Sequence, residues 1–187
     1  MANLVVKTPT PLTDAQAVQG IDDAYLLVTG QRPSPAVLAL LAAQSDFESG
    51  GWQAHGGSGF FNYNPGGVKW TGDGDYFETL TNERDAAGVT HQVTQRFVAY
   101  ESAARGFEEW IRQIQRRPAW WNGLHTESVD GYIAGLTTPP KYFTGDPEVY
   151  AAGLNQRLDR LLPLFEARLA VGWVPPRRSS VPPRSLP

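Results

Sequence analysis

The stretch Ser34–Trp52 constrains this 187-residue chain more than any other. Ser34 followed by Pro35 is an N-cap and first-turn pair. The serine hydroxyl can take an unpaired amide, while proline has no amide to leave unpaired and a φ already set for a helix. From Ala36 to about Glu48 apolar residues recur at helical spacing, with Val37, Leu40, Leu41, Gln44 and Glu48 along one side. Gly50-Gly51 closes the segment, glycine being the residue that most readily takes the left-handed backbone of a helix end. The spacing predicts an apolar helix whose last turn carries an acid.

Such a helix needs other elements to cover it, and the rest of the chain supplies them. Residues 1–12 read as an irregular or strand-like lead-in. A helix follows from about Thr13, with Ala17, Ile21, Ala24, Tyr25 and Val28 on one side, and ends at Gly30. Trp52 to about Thr71 is rich in Gly, Asn and aromatics and has no helical period. Tyr76–Thr81 and Thr90–Ala99 are β-prone around the polar Asn82–Gly88, the pattern of a hairpin. Ser102 caps a helix to about Gln115, with Phe107, Trp110, Ile111 and Ile114 inward. A short helix follows at Ser128–Leu136. Asp146-Pro147 then opens an amphipathic segment with Tyr150, Leu154, Leu158, Leu161, Leu162 and Phe165. The domain is expected over 13–173, and 174–187 is a Pro/Arg-rich tail.

Composition excludes whole classes of function. There is no cysteine, so disulfides, thiolate metal sites and cysteine nucleophiles are absent. His55, His91 and His125 are far apart and in no metal-ligand spacing such as HExxH, so a zinc peptidase or zinc amidase is not expected. The net charge is −3, and −6 for Met1–Trp173 without the three tail arginines, so nucleic acid is not an expected partner. No apolar run approaches the ~20 residues of a transmembrane helix, and the start lacks the apolar stretch of a secretory signal. The expectation is a chain made in the cytoplasm that reaches its site of action by release or export.

Glu48 is the residue with the clearest chemical promise. A carboxyl enclosed at the end of an apolar helix has its pKa raised and can hold a proton to act as a general acid. A solvated helix-end glutamate is the plainer alternative. Asp46 lies about 200° around the helix from Glu48, so the two cannot share a face, and it is read as structural or solvated. Gly72-Asp73-Gly74-Asp75 lacks the ligand series of a calcium loop.

Leu41–Trp52, LAAQSDFESGGW, resembles the AxAALESGWG stretch of the bacterial peptidoglycan glucosaminidases, glycoside hydrolase family 73. Three later segments resemble that family's elements in the same order. Asn62–Trp70, NYNPGGVKW, is similar to its NLFGIK; Arg96–Ser102, RFVAYES, to its FRxYxS; and Pro140–Leu154 to its closing GYATDPxYA. The last departs from the pattern, with Lys141 for Gly, Phe143 for Ala and Gly145 interposed before Asp146.

The resemblance implies a lysozyme-like fold, mainly α with a small β-hairpin lobe, and hydrolysis of β-1,4 bonds in peptidoglycan glycan strands after N-acetylglucosamine, a reaction that calls for no metal or organic cofactor. It makes Glu48 the proton donor and Tyr142 a residue lining the cleft. Glu78 falls near the place of a second acid, with Asp75 and Glu83 as rivals. A carboxylate about 6.5–9.5 Å from Glu48 would activate water with inversion. At a longer distance the substrate's own 2-acetamido oxygen would attack. Trp52, Phe61, Asn64, Lys69 and Trp70 are the expected substrate-binding residues, the remaining tryptophans being core or lid. Muramidases and lytic transglycosylases of the same superfamily are the nearest rivals, and a glycan-binding module without turnover is another. The chain is expected to act as a monomer, with the tail as a possible docking element.

Overall fold

The computed structural model describes residues 2–55, 58–84, 89–143 and 145–170, without the side chains of 54, 55, 58, 59, 83 and 84. The tail expected at 174–187 lies outside the described residues. The elements run α1 (Asp14–Thr29), α2 (Pro35–Glu48), β1 (Ala54–His55), β2 (Ser58–Gly59), β3 (Tyr76–Arg84), β4 (Thr90–Val98), α3 (Ala103–Gln115), α4 (Pro118–Leu124), α5 (Val129–Thr137) and α6 (Pro147–Ala170). The fold is mainly helical with a β-hairpin lobe, as expected.

Local chemistry sets the helix ends. The Thr13 hydroxyl accepts from the Gln16 amide, the Gln16 side chain accepts from the Thr13 amide, and α1 closes on Gly30 at φ 75°. The Ser34 hydroxyl accepts from the Val37 amide at the start of α2. Every residue of α2 from Val37 to Asp46 is buried, so α2 is a central helix covered on all sides rather than an amphipathic one. α6 packs along it, and α1, α3, α4 and α5 complete the shell.

Three ion-paired arginines on α6 bind it to α1 and α2. Arg157 and Arg160 converge on Asp46, which is 2% exposed, and Arg160 also reaches Asp14. Arg168 reaches Asp22 at 2.7 Å and Asp23 at 3.3 Å. Asp22 is wholly buried and is also approached by Arg32. Carboxylates this deep persist because guanidinium groups replace the lost water.

The hairpin β3–β4 is antiparallel, with Phe77 opposite Phe97, Glu78 opposite Arg96 and Thr79 opposite Gln95. Strand alternation therefore puts Phe77, Thr79 and Thr81 on one face and Tyr76 and Glu78 on the other. The lead-in is fastened to this lobe. The Val5 amide donates to the Tyr76 carbonyl, the Tyr76 amide to the Asn3 carbonyl, and the Asn62 amide to the Thr8 carbonyl. The Thr10 and Leu12 amides donate to the carbonyls of Phe60 and Trp52.

Candidate active site

Glu48 is the last residue of α2, and the turn beyond it is locked. The Ser49 hydroxyl donates to the Ser45 carbonyl (2.6 Å), and the Trp52 amide donates to the Ser49 hydroxyl (3.2 Å). Gly50, Gly51 and Trp52 all take positive φ, 63°, 80° and 54°. This sharp reversal leaves the Glu48 carboxyl facing a groove between the helical body and the hairpin lobe. The groove encloses about 860 Å³. Its helical side includes Phe47, Glu48, Trp120, Tyr142 and Phe143, and its hairpin side Phe61, Phe77, Thr79 and Phe97.

Glu48 is exposed as a residue through the groove, while its carboxyl is approached by the Tyr150 hydroxyl on one oxygen and by the loop at Gly67 on the other. That enclosure raises its pKa above the ordinary 4.5, against the opposing effect of a hydrogen bond from Tyr150. The Tyr150 hydroxyl donates to Oε1 at 2.5 Å. The phenol is itself held far above its usual range, by burial first and by the neighbouring Glu48 charge second, so it remains a donor. Phe143 stacks on the Tyr150 ring at 4.0 Å and Phe47 meets it edge-on at 4.8 Å. These contacts fix the phenol so that its hydroxyl addresses one carboxyl oxygen and leaves the other free for a ligand.

Tyr142 lines the groove, its hydroxyl donating to the Gly66 carbonyl (2.8 Å) and accepting from Trp110 Nε1 (3.2 Å). Phe61 and Lys69 also line it. Asn64 reaches the lining but spends its amide on the loop: Nδ2 donates to the carbonyls of Val68 and Val98, and Oδ1 accepts from the Val68 amide. Asn64 thus shapes the groove by holding the segment from Gly66 to Lys69 in place.

Three expectations need correction. Glu78 does not face the groove. It stands on the opposite face of β3 from Phe77 and Thr79, paired across the hairpin with Arg96 (2.9 Å). Trp70 lies on that same reverse face, against Tyr76 at 4.5 Å and beneath Arg96, with Nε1 donating to the Gly74 carbonyl. Trp52 is wholly buried, its indole folded beneath the reversal after α2 and donating to the Ser45 hydroxyl (2.9 Å). A tryptophan at positive φ costs about 1–2 kcal/mol, and burial of the indole offsets it. Of the rival acids, Asp75 accepts from Asn3 away from the groove, and the side chain of Glu83 lies outside the described residues.

Sequence reasoning missed the roles of Tyr150 and Phe143, and it missed Lys7. Tyr150 carried a signal only as a core position of an amphipathic helix. No group of metal-ligating side chains occurs among the described residues.

No family model and no curated protein sequence matches the chain. Solved structures do. A mutant peptidoglycan hydrolase from Sphingomonas sp. A1 superposes with a TM-score of 0.57 at 21% identity, over 82% of this chain and 99% of that one. The catalytic domain of the autolysin Auto from Listeria monocytogenes gives 0.56 at 19%, over 83% and 89%. The glycoside hydrolase domain of FlgJ from Salmonella typhimurium gives 0.54 at 20%, over 86% and 95%. The chain therefore has the fold of this class of hydrolase domain, and at these identities the likeness is one of fold.

Proposed function

We propose that the chain is a peptidoglycan hydrolase that cleaves β-1,4 glycosidic bonds of the glycan strand, as an N-acetylglucosaminidase with Glu48 as general acid. The observation that carries this reading is a carboxyl at the end of a buried helix, open to a groove, made proton-retentive by its surroundings and oriented by Tyr150. The fold shared with glycoside hydrolases supports it.

In this reading the Glu48 carboxylic acid protonates the glycosidic oxygen as the C1–O bond breaks. With Glu78 turned away, the geometry supports the route in which the 2-acetamido carbonyl oxygen bonds to C1 and forms an oxazolinium ring. The Glu48 carboxylate then takes a proton from the water that opens that ring, which regenerates the acid and retains the anomeric configuration. Tyr150 steadies the carboxylate between the two steps. Inversion in the fresh product would instead require a second carboxylate, and Glu83 would be the first to test by substitution.

Purified sacculi provide the test. Digestion is expected to release fragments with reducing N-acetylglucosamine ends, and Glu48→Gln is expected to reduce the rate at least about 10²-fold, since general acid catalysis contributes about 10²–10⁴. Reducing N-acetylmuramic ends would mean a muramidase, and anhydro ends a transglycosylase. Binding with no fragments at all would leave a glycan-binding module. We further propose that the protein acts as a monomer on the wall after leaving the cytoplasm, with residues 174–187 as a docking element for a partner; sedimentation of the purified protein tests the oligomeric state.

A further inference from the structure

The charges around the groove are unlike those of the chain as a whole. The chain carries −3, yet the charged side chains lining the groove, among the described residues, are Lys7, Lys69, Lys141 and Glu48. Among these described side chains three cations stand against one acid. At physiological salt, charges are screened beyond about 8 Å, so a ligand in the groove feels the local lysines more than acids elsewhere on the surface.

Lys7 is the most built-in of the three. It comes from the lead-in, where the bonds of Val5 and Thr8 to the lobe fix the backbone on either side of it. Its ammonium donates to Thr79 Oγ1 (2.8 Å) and lies 4.1 Å from the centre of the Phe61 ring. The stem is half-buried, and loss of water lowers the amine's pKa. A positioned, partly dehydrated ammonium gains more from an anion than a fully hydrated one does. Lys141 stands on the helical side, one residue before Tyr142, so cations approach the groove from both sides.

We infer that Lys7, with Lys141 across the groove, is a substrate-binding residue that selects glycan strands bearing carboxylates, namely those of the peptide stems, over neutral N-acetylglucosamine polymers. The inference deepens the hydrolase reading and rests on it for the identity of the polymer.

The test is retention of the full-length Glu48→Gln protein on sacculi, either native or with their carboxyls converted to neutral amides. Affinity for native sacculi is expected to exceed that for amidated ones about 10-fold, the size of a partly screened charge-assisted contact. It should fall with added salt. Adding Lys7→Gln should bring native sacculi down toward the amidated level, and Lys7→Arg should restore most of the difference. If Lys7→Gln does not fold, as judged by thermal unfolding, Lys141→Gln carries the same expectation. Equal affinity for both sacculi, no retention on either, or lysine variants that bind like their parent would overturn the proposal. Digestion by the unsubstituted protein is scored separately. Carboxylate-dependent retention without released fragments would end the hydrolase reading and keep this one.

Discussion

Glu48 and Tyr150 are 102 positions apart in the chain and meet at 2.5 Å, and this contact sets the pH behaviour of the site. A hydrogen bond from Tyr150 stabilises the ionised carboxylate, so Tyr150→Phe should raise the Glu48 pKa further. Activity requires the protonated acid and falls as pH rises through that pKa. The alkaline limb of the rate profile in Tyr150→Phe should therefore move to higher pH, and a limb that moves down or stays put would exclude the assignment. Stability follows the same logic. The folded-state pKa lies above the unfolded value of about 4.5, so between the two the unfolded chain gives up the proton while the folded chain keeps it. Wild-type stability should fall as pH rises through that window and level off above it. Glu48→Gln has no proton to lose, so its melting temperature should exceed the wild type's at neutral pH, with the gap closing below about pH 4.5; calorimetry across pH checks this. The position of Glu48 was legible because capping and helix-ending signals are local. The Tyr150 contact was not, because it depends on how two distant helices dock. Glu78 was misplaced for a related reason: hairpin alternation shows which residues share a face but not which face meets the body.

The helices show where such signals suffice. α1, α2, α3 and α6 are foreshadowed by apolar spacing and end signals and α5 as a short helix, and α2 shows it most clearly, running from Pro35 to Glu48 as its boundaries imply. α4 was not anticipated: seven residues span barely two turns, too few to show a period, and no side chain caps its start. The strands run to Arg84 and begin again at Thr90, so β3 extends three residues into the segment read as the turn. The docking of α6 on α2 left two marks that only the structure explains. Gly153 sits where an added Cβ would lie 2.3 Å from Phe47, the neighbour of Glu48. Gly153→Ala should destabilise by about 1–2 kcal/mol, since overpacking outweighs the gain in helix propensity. Activity should fall with it as Phe47 is displaced. Asp46, read as structural or solvated, is the buried anchor for Arg157 and Arg160. Asp46→Ala takes the carboxylate away from Arg157 and leaves Arg160 paired with Asp14, and should cost about 3 kcal/mol, near the low end for a broken buried pair because Arg160 keeps that second partner. Chemical denaturation measures both.

At the scale of the molecule, the groove exists because two bodies of different construction are held at a fixed distance. The helical body is secured by apolar packing and the arginines of α6, and the hairpin lobe by comparatively few contacts. A two-stranded hairpin is marginal by itself, so something must brace it. The lead-in does so, running beside β3 through Asn3 and Val5 and then crossing to Asn62, Phe60 and Trp52 on the way to α1. Its sequence, short and without a pattern, showed only that it was irregular or strand-like, because its partners lie about forty to seventy residues away. Among the described residues five backbone hydrogen bonds join it to the rest of the fold, each contributing about 1 kcal/mol net. Removing residues 2–11 should therefore leave the helical circular-dichroism signal almost intact while loosening β3 and β4. Amide exchange should rise first in the hairpin and in the segment from Asn62 to Lys69, and hydrolysis of sacculi should drop at least tenfold because one wall of the groove no longer holds its place. A truncated protein with wild-type exchange in the hairpin would show that the lobe is braced from elsewhere. Uniform loss of protection through α2 and α6 would show that the lead-in supports the whole core rather than one wall.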